Sequence, residues 1–120
     1  MSESLSTATT HDGATVVLTC RGSAETRAFS ELSAALDAVH RDALQRAAEE
    51  VVADVRALEF ASSSCLKAFV TWLQRVLELD GAQRYKVRFR SNPEHSWQRR
   101  SLGAFAEFAG EVVRIEAEPS

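Results

Sequence analysis

Apolar and polar positions alternate in two periods along this chain, and the switches between them mark seven elements. Residues 14–20 (ATVVLTC) are short and β-branched and predict a strand. Residues 21–26 contain Gly22 and Ser23 and predict a loop. Beyond it, Phe29, Leu32, Leu36, Val39 and Ala43 recur at steps of three and four, one face of a helix reaching about residue 48. In residues 50–57 (EVVADVRA), Val51, Ala53 and Val55 point one way, while Val52, Asp54 and Arg56 point the other. Residues 58–61 carry the chain out of that second strand. A helix is then predicted over 64–79, with an apolar stripe of Leu66, Phe69, Val70, Leu73, Val76 and Leu77. Asp80-Gly81 stops it.

Residues 84–90 (RYKVRFR) alternate strictly, with Tyr85, Val87 and Phe89 on one face and Arg84, Lys86, Arg88 and Arg90 on the other. Asn92-Pro93-Glu94 combines a cap residue, a first-turn proline and an early acid, and predicts a helix start. That helix carries Trp97, Leu102, Phe105 and Phe108 to about Gly110. Residues 111–118 (EVVRIEAE) alternate again and predict a closing strand. The order β-α-β-α-β-α-β implies helical crossovers and a largely parallel sheet. Because the last two strands alternate, one sheet face is expected to meet water. The expectation is one α/β domain over 14–118, a four-stranded mixed sheet with helices mainly on one face. Residues 1–13, rich in Ser and Thr with Leu5 as their one large aliphatic after Met1, are expected to be a flexible leader.

Composition narrows the function classes. At 120 residues the chain suits one domain and can bury a core without a metal or disulfide staple. Acids number 17 and bases 14, a net charge of -3, which disfavours a general nucleic-acid or membrane-surface role. No apolar run approaches the ~18 residues of a membrane span, and the first residues have no signal-peptide core. Cys20 and Cys65 lie in apolar contexts, as two buried thiols would, which points to a cytoplasmic protein. There is no Gly-x-Ser-x-Gly elbow, phosphate loop or paired metal-ligand motif, so neither an enzyme, a cofactor nor a metal site is expected. A triad of Ser63, His95 and Asp54 can be composed on paper, but no spacing supports it.

The serine triplet Ser62-Ser63-Ser64, between strand and helix, is the most informative local feature. One serine there caps the helix by accepting a first-turn N–H. A phosphoacceptor fits the same place, because free N–H groups and the positive dipole end accommodate a phosphate. Asp54 reads either as a structural ion-pair partner or as a group acting beside that serine. The basic cluster from Arg84 to Arg100 reads as a solvated sheet face paired with Glu116 and Glu118, ahead of nucleic-acid binding. Trp72, at the border of its helix's apolar stripe, reads as core or as an anchor for a partner.

The segment from Val51 to Leu66, VVADVRALEFASSSCL, resembles the core motif of STAS domains, the anti-sigma-factor-antagonist-like modules of bacterial signalling. That motif is a hydrophobic strand ending in Asp, a short link with Phe, then Asp-Ser-Ser-Gly-Leu opening a helix. Asp54, Phe60, Ser63, Ser64 and Leu66 match it; Ser62 stands for the motif's acid and Cys65 for its glycine. A related group of small biofilm-signalling phosphoproteins, aligned on Lys67-Ala68, also places its phosphothreonine on Ser63. The resemblance implies a STAS-like fold and a non-catalytic module in a partner-switching pathway. It would bind an anti-sigma-type serine kinase or similar regulator, with a serine phosphatase to reverse it. Ser63 would be the phosphorylated switch, and Ser62, Ser64, Lys67, Asp54 and Trp72 would serve the partner surface. The alternative is a constitutive scaffold that has lost the switch, with a homo-oligomer built through sheet edges or Trp72.

Overall fold

The computed structural model describes residues 3–117. Their order is β1 (Ser6–Asp12), β2 (Thr15–Ala24), a 3-10 turn (Thr26–Ala28), α1 (Phe29–Gln45), β3 (Glu50–Ala61), α2 (Ser63–Leu77), β4 (Lys86–Ser91), α3 (Ser96–Phe108) and β5 (Val113–Ala117). The five strands lie in the sheet in sequence order. β1 is antiparallel to β2, and the other neighbours are parallel. A parallel pair needs a crossover, and α1, α2 and α3 supply one each.

All three helices cover the same sheet face. Val16, Leu18 and Cys20 of β2, Val51, Ala53 and Val55 of β3, and Val87 and Phe89 of β4 join the helical Leu36, Phe69, Trp72 and Phe105 in one core. Phe69, Phe89 and Phe105 meet ring to ring at 5.6–6.0 Å. Inside this core Tyr85 accepts a hydrogen bond from Trp72 Nε1 at 2.9 Å and bonds His40 Nδ1 at 2.7 Å, so its buried hydroxyl is satisfied. The opposite sheet face carries three of the four charges that alternation assigned to it, Lys86, Arg88 and Arg90; Arg84 lies before β4 and instead donates to the Leu77 carbonyl at the end of α2. Arg88 reaches Glu50 of β3 and Glu116 of β5, each at 3.1 Å, and Arg90 faces Asp54 and Glu116. The pairing foreseen with Glu116 is therefore present; Glu118 lies outside the described residues.

Several expectations are corrected. The sheet has five strands, not four, and the additional one lies in the segment assigned to the leader. Its sequence, STATTHD, has no apolar alternation because neither of its faces is buried. It is held as an edge strand by pairing with β2 and, just before it, by the buried side chain of Leu5. Gly13, with φ +62°, opens the two-residue turn into β2. Asp12-Gly13 after a threonine-rich run was the available hairpin signal. β2 also runs through the predicted loop to Ala24. Gly22 makes that possible: its φ is +86°, and a Cβ there would sit 2.4 Å from the Ser4 carbonyl oxygen.

α3 starts at Ser96, later than Asn92-Pro93. Asn92 forms a local turn instead, its Oδ1 accepting the Glu94 N–H at 2.9 Å. Phe29 and Phe108, assigned to helix core faces by periodicity, are 41% and 49% exposed. Each sits in the terminal turn of its helix, where the apolar stripe has run past the sheet.

Candidate functional site

The site is the junction where β3 leaves the sheet and α2 begins. β3 pairs with β4 only from Glu50 to Asp54, then continues for seven more residues to Ala61. Leaving β4 strands backbone carbonyls in a buried place, which would be costly unless bonded. Gln98 of α3, only 1% exposed, bonds them: its Nε2 donates to Val55 O at 2.6 Å and Leu58 O at 3.0 Å. Its Oε1 accepts the Asn92 N–H at 2.8 Å, and Trp97 Nε1 donates to Leu58 O at 3.2 Å. Gln98 was not singled out in the sequence, where a lone Gln in a helix looks like surface; the pairing limits of β3 are needed to see it.

This bracing delivers Ser62 to the end of the strand. Its N–H donates to Ala24 O at 2.8 Å, and its hydroxyl accepts the Cys65 N–H at 3.2 Å as the α2 cap. Ser62 is therefore buried and committed. Ser63, the first residue of α2, is exposed, and among the described residues no hydrogen bond engages its hydroxyl. The first turn of α2 contains no acidic residue, so its positive dipole end is uncompensated by side-chain charge. Cys65, where the STAS motif has glycine, turns inward and directs its thiol to the Glu25 carbonyl at 3.4 Å.

The residues assigned to the partner surface separate into two groups. Ser63, Ser64 and Lys67 lie together on the outer side of α2, and Ser64, Lys67, Thr71 and Phe29 line an open groove of about 390 Å³. Phe29 is the exposed aromatic of this groove; Phe60, 47% exposed near the end of β3, does not line it. Phe60 had been matched as a motif residue but not as surface, and Phe29 had been given to the core.

Trp72 is 1% exposed and hydrogen-bonded to Tyr85, which leaves it no surface for a partner. Asp54 is not at a strand's end. It lies mid-strand on the helix-free face, opposite Thr19 and Arg90 in the register. Burial would raise its carboxyl pKa, but the hydrogen bonds from the Arg56 guanidinium and N–H, with the Arg90 charge, outweigh this and hold it below the ordinary range. Asp54 is thus bound to arginines, not to Ser63 or His95. His95 instead lines a separate open cavity of about 620 Å³ with Arg21, Arg56, Asn92 and Glu94. Desolvation, with the Asp54 charge second, pushes the Cys20 thiol up to about 12, so it is an inert core group.

No helix among the described residues is long and apolar enough to cross a membrane. No protein-family model matches the chain, and no curated protein matches it in sequence. A solved structure does match: the crystal structure of an anti-sigma factor antagonist from Mycobacterium paratuberculosis. The two superpose with a TM-score of 0.72 at 16% identity, over 95% of this chain and 86% of that one. Sequence order, sheet pairing and this superposition agree: the chain has a STAS-like fold.

Proposed function

We propose that the chain is a non-catalytic signalling module of the partner-switching kind, whose partner docks on the outer face of α2 and is released by phosphorylation of Ser63. The observation that carries this reading is the division of labour at the junction. Ser62 does the capping, which leaves the Ser63 hydroxyl exposed at a helix N-terminus without an acid. The structural neighbour, an anti-sigma factor antagonist, supports protein partners of the regulatory type, here a serine kinase of the anti-sigma class opposed by a serine phosphatase.

The physics of the switch is local. Unmodified, the face offers hydroxyls, Lys67 and the exposed ring of Phe29. Aromatic anchors of this kind dominate interface energetics. Phosphate on Ser63 adds about -1.5 to -2 charge. In the free protein that charge is stabilised by the α2 dipole and lies one helical turn from Lys67. In the complex it must lose water, and an unpaired buried charge costs several kcal/mol. A loss of about 2.7 kcal/mol already weakens binding a hundredfold.

The test compares affinity for the partner co-purified from the native host, using unmodified and stoichiometrically Ser63-phosphorylated protein at equal salt. A weakening of about a hundredfold is expected. Equal affinities would refute the switch and leave a constitutive scaffold, the reading that the Cys65 and Ser62 departures favour. Phosphosite mapping of protein from native cells should find Ser63, and not Ser62, modified.

A further inference from the structure

We infer that two copies of this chain associate through the outer edges of β5, pairing antiparallel about Ile115 to form one continuous sheet. The inference is independent of the Ser63 reading and uses the edge strand β5, separated from β3 by β4.

The backbone defines which groups are on offer. Val87 N–H donates to Val112 O at 2.8 Å, and Val87 is the register partner of Val113. A parallel ladder in that phase turns the N–H and C=O of Arg114 and Glu116 toward β4. Those of Val113, Ile115 and Ala117 then face outward. Among the described residues no strand lies beyond β5. The Val113 N–H is already given to Ala109 O at 2.9 Å. The Ile115 N–H and C=O, the Val113 C=O and the N–H and C=O of Ala117 are the remaining edge groups. A two-fold axis at Ile115 satisfies all but the last: the two Ile115 residues exchange a pair of bonds, each Ala117 N–H reaches the opposite Val113 carbonyl, and the Ala117 carbonyl at the end of the strand is left to water.

Charge selects this register over its neighbours. With the axis at Ile115, Arg114 of one copy lies directly opposite Glu116 of the other, twice by symmetry, on the helix-free face. An axis at Arg114 or at Glu116 would set like charges face to face. A shift by one residue of a single strand would present inward-facing backbone groups to the edge. Arg114 is exposed and has no ion pair among the described residues, so it is available for this contact.

The apolar side agrees. Ile115 is 37% exposed and lies with Leu102, Gly103 and Ala117 along a cleft of about 170 Å³ between β5 and α3. In the paired sheet the two Ile115 side chains are direct cross-strand neighbours over that cleft. Residues 113–117 contain no proline or bulge, and the two charges they carry, Arg114 and Glu116, are of opposite sign and so admit a second copy where a single-sign run would repel it. The other edge, β1, exposes no large apolar side chain and offers no comparable self-complementary pair.

Sedimentation equilibrium of the full chain, from about 10 µM to about 1 mM, covers the range expected for a small interface. The mass should rise from 13.2 kDa toward twice that value. Arg114→Glu sets two carboxylates opposite Glu116 of the second copy and should weaken association about tenfold or more. Glu116→Arg should do the same alone. An equimolar mixture of the two variants should recover the dimer, since each introduced charge then meets its opposite. Glu116→Arg also loses the Arg88 pair; should it fail to fold, the readout is hydrogen exchange at the wild-type Ile115 amide, which should slow as concentration rises. A wild-type chain that stays monomeric throughout, an Arg114→Glu variant that dimerises as well as wild type, folded variants whose mixture does not associate, or an Ile115 amide indifferent to concentration would each overturn the inference.

Discussion

Gln98→Leu tests whether the splayed end of β3 depends on one side chain. The replacement is close in volume and keeps the site apolar. It removes the donor to Val55 O and Leu58 O and the acceptor for the Asn92 N–H. Leu58 O retains Trp97 Nε1, so two backbone groups are orphaned in a region where Gln98 itself is 1% exposed. Each buried unsatisfied group costs about 1–3 kcal/mol. The added apolar contact offsets about 1–2 kcal/mol. The net loss should be about 2–4 kcal/mol, a large fraction of the 5–15 kcal/mol of an ordinary domain. Guanidinium unfolding followed by far-UV circular dichroism measures it directly, provided the m-value is unchanged. Gln98→Glu sharpens the test. A buried carboxylate cannot donate to the carbonyls, whereas its protonated form can. That variant should therefore gain stability, relative to wild type, as pH falls through its raised pKa. A loss below about 1 kcal/mol for Gln98→Leu would refute the reasoning, because it is the size of an ordinary surface substitution and would mean that water reaches these groups.

Gly22→Ala should cost more than the ordinary 1 kcal/mol of a Gly→Ala change, since φ is +86° and the Ser4 carbonyl oxygen must move from 2.4 Å; a thermal melt checks it. Ser62→Ala should lose about 1 kcal/mol as a helix N-cap, whereas Ser63→Ala should leave the melting temperature unchanged, and the reverse ranking would move the cap and undercut the switch. Acidification should weaken the fold in two windows, read as the denaturation midpoint against pH. His40, whose pKa is lowered by burial and by the Arg75 charge against an opposing Asp37, stays neutral while the unfolded chain protonates below about 6.5, so stability falls there; His40→Gln should remove that step. Asp54, held below its unfolded value of about 3.9, contributes stability at higher pH that is lost as pH falls through the folded value.

Elements that bury one face were legible in the sequence. β4 is the clearest case: Val87 and Phe89 are each 0% exposed, as is Tyr85 just before the strand, and Lys86, Arg88 and Arg90 lie on the other face, while Arg84 turns to the end of α2. What was not legible lay where burial does not govern the residue choice. β1 is held by backbone pairing at an edge, so threonines suffice and no period marks it. The register shifts between Thr19 and Arg21 and between Gly22 and Ser23 extend β2 through residues that look like a turn. Asp54 illustrates the limit of motif matching. The motif places it at a strand's end, whereas the β3–β4 register sets it mid-strand with its side chain turned toward Arg56 and Arg90.

The serine triplet shows why a motif can keep a role while changing its letters. In the STAS pattern the residue before the matched serine is acidic; here it is Ser62, and both Asp and Ser are strong N-caps. The substitution therefore preserves the cap while removing a negative charge from the helix N-terminus. An acid at that position would already occupy the favourable potential and would repel a phosphate one residue away. With Ser62 neutral and buried, and no acid in the first turn of α2, a phosphate on Ser63 would meet the helix dipole with no adjacent negative charge. The Ser62 departure therefore keeps the cap under either reading, switch or scaffold, and it is the affinity of the Ser63-phosphorylated protein that separates them.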